Sequence, residues 1–165
     1  SVWIGMYSLM CRRLGIKEDA VVLARRVYDE FGKPERWKVY PDVLPALDRL
    51  RALDVRLGII SNWDSRLSGL LDALEIKSRV DVILSSAEVG LRKPDPRIFE
   101  LACERLGVDP SEAAHVGDHH YADILGARAV GMFPVLVDRS GRAPLPVGPV
   151  PIHDFDALET ALGLI

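Results

Sequence analysis

The stretch "HVGDHHYADILGARAVG", His115 to Gly131, carries the reading of the whole chain. It opens as the end of a short apolar run, "AAHVG" (113–117), passes through a Gly-Asp step, and continues in a helical pattern of small and apolar residues. Working outward, three further runs share the texture of its first part: "VRLGII" (55–60), "DVILS" (81–85) and "FPVLV" (133–137). Helical segments such as "RLSGLLDALE", "PRIFELACERLG" and "ADILGARAVG" separate them. Near-continuous apolar strands alternating with helices predict a parallel sheet covered on both faces, an α/β class with Rossmann-like order.

The chain before this region has a different character. Two helices are expected over about 1–14 and 18–31, the first with Val2, Met6, Leu9, Met10 and Leu14 at helical spacing, the second ending at Gly32. Pro41 and Pro45 bracket the start of a third helix, "LPALDRLRAL". Near the other end, the Pro/Gly-rich "SGRAPLPVGPVP" predicts a loop before a terminal helix in "DFDALETALG". The expected division is therefore a helical segment, 1–40, followed by an α/β core, 41–165.

Composition narrows the function classes. A chain of 165 residues that is 48% hydrophobic has enough apolar material for a real core. Its net charge of -3, with both signs interspersed, supplies no basic stripe for nucleic acid. The longest apolar runs fall far short of the ~20 residues of a membrane-spanning helix, and no secretory leader is visible, so a cytoplasmic location is expected. Cys11 and Cys103 fit no disulfide or metal framework and read as buried thiols.

In a parallel sheet, ligands gather beyond the carboxyl ends of the strands. Those ends carry Ser61-Asn62, then Ser85-Ser86 followed by "AEVGLRKPDP", and Gly117-Asp118 followed by Asp123. A hydroxyl and neighbouring N–H groups can hold phosphoryl oxygens, Lys93 can neutralise them, and two carboxylates can hold Mg²⁺. Plainer readings stand beside these: Ser61 as a helix cap, with Asp64 competing for that role; Lys93 as a solvated lysine; Asp118 as a turn residue and Asp123 as a helix-surface charge. Two features favour function. Pro94 and Pro96 restrict the path that aims Lys93. Asp118 closes an apolar strand, where negative charge needs a cation. A zinc-type cluster of His115, His119 and His120 is disfavoured, because His115 lies inside the strand and adjacent His119 and His120 point apart.

Taken together, "LGIISNWD", the span from "SSAEVGLRKPDP" through "HVGDHHYADILGARAVGM", and "PVLVDRSG" resemble the haloacid dehalogenase-like (HAD) hydrolase superfamily, in correct order and spacing from about Tyr40 to Asp138. The resemblance implies that Ser61 and Asn62 bind phosphate, that Lys93 is a catalytic, phosphate-neutralising lysine with Ser61 beside it, and that Asp118 and Asp123 hold Mg²⁺. It implies a phosphatase of small phosphorylated metabolites working through an aspartyl-phosphate, and makes the first 40 residues part of a helical cap. One motif is absent: no "DxDGT"-like segment supplies the nucleophilic Asp. The first, central strand that carries it in the family would lie between "VRLGII" and "AAHVG". Its absence predicts a chain with little activity of its own and an exposed gap in the sheet through which it could associate. The rival reading is a non-catalytic HAD-like binding or regulatory module. Mutase, phosphonatase and dehalogenase chemistries share most of these residues.

Overall fold

The structure, a computed structural model, describes residues 2–16, 19–141 and 151–165. Most of the expected Pro/Gly-rich loop, 142–150, lies outside the described residues. The chain divides into two units, one ending at Lys38 and the other beginning at Val39.

The first unit is a helical pair, α1 (Val2–Arg13) and α2 (Ala20–Phe31). Asp19 starts α2 by accepting the Val21 N–H at 2.9 Å, and the Gly32 N–H closes it on the Asp29 and Glu30 carbonyls. Small residues bury the seam: Ser8 and Cys11 from α1, Ala20 and Ala24 from α2. The apolar stripe expected on α1 does not form a core. Met6, Leu9, Met10 and Leu14 are all exposed, because one partner helix covers only one face.

The second unit follows the alternation expected from the sequence. Its elements run α3 (Val43–Ala52), β1 (Gly58–Ser61), α4 (Leu67–Ala73), β2 (Val82–Ser85), α5 (Ser86–Val89), α6 (Pro96–Leu106), β3 (Ala114–Gly117), a π-helical turn (His120–Leu125), α7 (Gly126–Ala129), β4 (Phe133–Leu136) and α8 (Leu158–Ala161). Strand β1 pairs in parallel with β2, Ser61 opposite Ser85, and β3 pairs in parallel with β4, Gly117 opposite Leu136. Beyond β4, Val137 bridges to Ile152. Each strand is shorter than the apolar run that announced it. Residues 55–57 precede the β1 ladder, although the Leu57 carbonyl still accepts the Asp81 N–H at 2.7 Å.

Side-chain alternation builds two cores on opposite faces. Leu84, Ile98, Phe99, Ala102, Cys103, Ala127 and Met132 form one, joined by Ile60 and Ala113. Leu50, Val135, Ile152 and Leu158 form the other, joined by Leu57 and Val116. Full burial of Leu84, Ile98 and Phe99 contributes roughly 1.5–3 kcal/mol each.

The described strands form two separate two-stranded sheets. Burial along them runs opposite to that of a continuous sheet, in which central strands are the most covered. Pro134, Val135 and Leu136 of β4 and Leu84 and Ser85 of β2 are buried, yet no residue of β1 is, and only His115 of β3 is. With Ile152 bridged to Val137 just beyond β4, the open edge of that pair among the described residues belongs to β3. The two ribbons nevertheless share both cores.

Helices α6 and α7 approach closely at Gly126. A Cβ there would lie 2.6 Å from Phe99 Cε2 and 3.2 Å from the Pro94 Cα, whereas at Gly69 in α4 it would meet nothing within 4 Å. Gly126→Ala is expected to destabilise the core by about 1–3 kcal/mol. Gly69→Ala is expected to stabilise it by about 0.5–1 kcal/mol. Urea unfolding of both variants checks the contrast, and equal effects would contradict it.

Candidate active site

Beyond the strand ends, hydrogen bonds connect one ribbon to the other. Asn62, which follows β1, grips the backbone of Lys93 from both sides: its Oδ1 accepts the Lys93 N–H at 2.7 Å and its Nδ2 donates to the Lys93 carbonyl at 2.9 Å. Lys93 Nζ reaches Asp123 Oδ1 at 2.5 Å, with both side chains largely buried. The loop that carries Lys93 is then anchored by Asp95, whose carboxylate accepts the Arg97 N–H and so starts α6 behind Pro96.

Asp123 is held by three donors. Lys93 and His115 Nε2, the latter at 3.1 Å, share Oδ1, and the His119 backbone N–H donates to Oδ2 at 2.9 Å. Burial alone would raise its carboxyl; the hydrogen bonds from His115 and Lys93, the lysine charge and the His119 N–H together hold it well below the usual carboxylate range. Two local features place it there. The π-helical turn lets a residue six beyond Gly117 fold back on the strand end, and His119 caps the turn by accepting the Ala122 N–H. Gly117 leaves the room, since a Cβ at that position would lie 2.3 Å from Asp123 Cγ.

The remaining residues expected at the site stand at the same strand ends with other surroundings. Ser61 ends β1, and its hydroxyl has no hydrogen-bond partner among the described residues. It caps no helix: α4 starts behind Arg66 without a side-chain cap, and Asp64 accepts the Arg66 N–H at 3.0 Å. Asp118 is exposed, and its carboxylate likewise makes no hydrogen bond or ion pair among the described residues. It borders a cavity of about 530 Å³ whose walls include Tyr40, Val43, Val116, Arg139 and Phe155. Arg139 lies 4.0 Å over the Tyr40 ring and donates to Asp42 at 2.7 and 3.1 Å. That ion pair was not read from the sequence. The "DRSG" stretch was visible, but its partner lies 97 residues earlier.

These observations decide how a Mg²⁺ ion fits. Asp118 offers a hard, unengaged oxygen donor at the strand end, as such an ion requires. Asp123 faces protein donors instead, and among the described residues no three His, Cys, Asp or Glu side chains converge as a metal cluster. The chain therefore fits as the source of one carboxylate ligand, with Asp123 acting on Lys93. The three histidines do not form a site; His115 serves Asp123 and His119 caps the turn. Cys11 and Cys103 are buried free thiols. No described helix is long and apolar enough to cross a membrane.

Comparison with known proteins identifies the family. The family model described as haloacid dehalogenase-like hydrolase matches residues 6–131. The chain belongs to that family. It is 33% identical over 159 residues to haloacid dehalogenase-like hydrolase domain-containing protein 3 of Danio rerio, covering 95% of this chain and 66% of the relative. It is 36% identical over 140 residues to a glyceraldehyde 3-phosphate phosphatase of Methanopyrus kandleri, covering 81% of this chain and 58% of that protein. The crystal structure of a HAD phosphatase from Thermococcus onnurineus superposes with a TM-score of 0.79 at 27% identity, covering 98% of this chain and 89% of that one. The chain thus spans about half to two thirds of the length of the curated relatives it matches. As a member of that family, it has the α/β Rossmann-like fold.

Because Asp123 is more acidic folded than unfolded, its contribution to stability is full above the ordinary carboxylate value of about 3.9 and is lost as pH falls through the lower folded value. Asp123→Asn is therefore expected to be less stable than the parent at pH 7 and to lose less stability between about pH 5 and pH 2. Denaturation at a series of pH values measures this; parallel pH curves would contradict it.

Proposed function

We propose that this chain is the phosphate-handling part of a Mg²⁺-dependent HAD phosphatase acting on small phosphorylated metabolites. The observation that carries the reading is the buried Lys93–Asp123 pair, clamped through Asn62 at the strand ends, with the Ser61 hydroxyl and the Asp118 carboxylate left unengaged beside it. The phosphatase relatives favour phosphoryl transfer among the chemistries of the family.

In this reading each residue has one task. Lys93, with one N–H on Asp123, turns its remaining donors toward the phosphoryl oxygens and offsets their charge. Ser61 donates its hydroxyl to the same group. Asn62 fixes the loop that carries Lys93, which leaves its amide for positioning and not for phosphate. Asp118 holds Mg²⁺, which when bound supplies further neutralisation of the phosphoryl charge. The nucleophile is an Asp carboxylate from a strand outside these 165 residues, seated between β1 and β3, that forms and then loses an aspartyl-phosphate. The incomplete burial of β1 and β3 and the apolar wall of the cavity at Val116 support such a seat.

Two samples test this: the 165-residue chain, and the same chain expressed with the residues encoded immediately upstream, each assayed on phosphate esters with Mg²⁺. Turnover is expected only in the longer sample, and Lys93→Met or Asp118→Asn should lower its kcat by about 10²-fold or more. Turnover by the short chain that is lost in Asp118→Asn would sink the proposed division of labour. Inactivity of both folded samples would favour the non-catalytic reading.

A further inference from the structure

We propose that His115 is a positioning residue of the phosphate site, acting on Lys93 through Asp123. The inference rests on the reading of Lys93 as the phosphate ligand. Its ground is the placement of the ring: His115 occupies the second position of β3, buried, with its imidazole edge-on to Phe99 at 5.0 Å between ring centres. Phe99 belongs to the apolar core beneath α6. An aliphatic side chain would fill such a place without burying a polar ring, and a buried ring N–H is costly unless it is paired. Here it is paired, to the one carboxylate oxygen that also holds the lysine.

The geometry fixes which ring nitrogen donates. An ionised carboxylate only accepts, so Nε2, the nitrogen that faces it, carries a proton. With Nε2–H on Oδ1 and the His119 N–H on Oδ2, Asp123 is braced from two directions before Lys93 is counted. A carboxylate held by the lysine alone could turn with it. Braced in this way it gives the ammonium a fixed anchor, so that the two free N–H groups of Lys93 keep one direction. Strand alternation puts His115 and Gly117 on the same face of β3, and the missing side chain of Gly117 is the space in which the braced carboxylate lies. The brace is thus written into one strand: a donor at 115 and a void at 117.

NMR on the intact 165-residue chain tests the inference without requiring turnover. In the unaltered protein, long-range ¹H–¹⁵N spectra should show the His115 ring protonated on Nε2, and a protected ammonium signal should be present that disappears in Lys93→Met. His115→Leu is expected to broaden or abolish that signal while the methyl spectrum stays folded, and to weaken binding of inorganic phosphate by about tenfold, the scale of one hydrogen bond to a charged group. His115→Gln, whose amide can present a donor near the place of Nε2, should recover most of both. A ring protonated on Nδ1 alone, or a lysine signal unchanged in His115→Leu, overturns the proposal. Should the leucine variant not fold, the ring form of the parent and the glutamine variant decide the matter. If phosphate binds none of the proteins while the lysine signal still follows residue 115, the positioning role stands and the phosphate reading of the site fails.

Discussion

The carboxylate of Asp123 is the point on which the core depends. It receives Lys93, whose backbone is gripped by Asn62 at the end of β1, and it rests against Gly117 at the end of β3. The two ribbons share no ladder hydrogen bonds, so this polar chain fixes their carboxyl ends relative to each other. Removing a lysine and an aspartate from water costs several kcal/mol per ion, and their attraction offsets that cost only with good geometry and further hydrogen bonds. Such an arrangement is a poor device for stability alone. It suits a place where a cation must stand ready for an anionic ligand.

Much of this was legible in the sequence, and the limits have physical causes. Alternating apolar runs and helical patterns give the parallel α/β class, and Gly32 marks the end of α2. Strand ends gave Ser61, Asn62, Lys93, Asp118 and Asp123 as the residues to watch. Spacing could not say which of the two aspartates faces Lys93. That assignment depends on a π-helical turn, which a period of 3.6 residues does not reveal, and on a lysine thirty positions earlier in the chain. The signal that did exist was modest: His115 and Gly117 lie two apart on a strand and therefore on one face, a polar ring beside an empty place.

The distribution of burial carries a second lesson. A parallel sheet is ordinarily covered on both faces and best covered at its centre. Here the later residues of β2 and β4 are buried, while β1 and β3 leave half-exposed apolar side chains and, among the described residues, edges without a ladder partner. Unpaired edges of this kind template the addition of another strand. The apolar stripe of α1 has the same character, an exposed face on one side of a helical pair.

One tie closes the core across a long stretch of chain. Asp42, just before α3, accepts both Arg139 and the Phe155 N–H, and Arg49 within α3 pairs with Glu159 on α8. The partners of α3 thus come from near the far end of the chain, 97 to 113 residues later. During synthesis α3 emerges long before the residues that neutralise its charges, so these ties wait until about a hundred further residues have been made. Contacts this distant also carry a large loop-closure cost before they contribute anything, which makes docking of the last helix a late and slow event in folding.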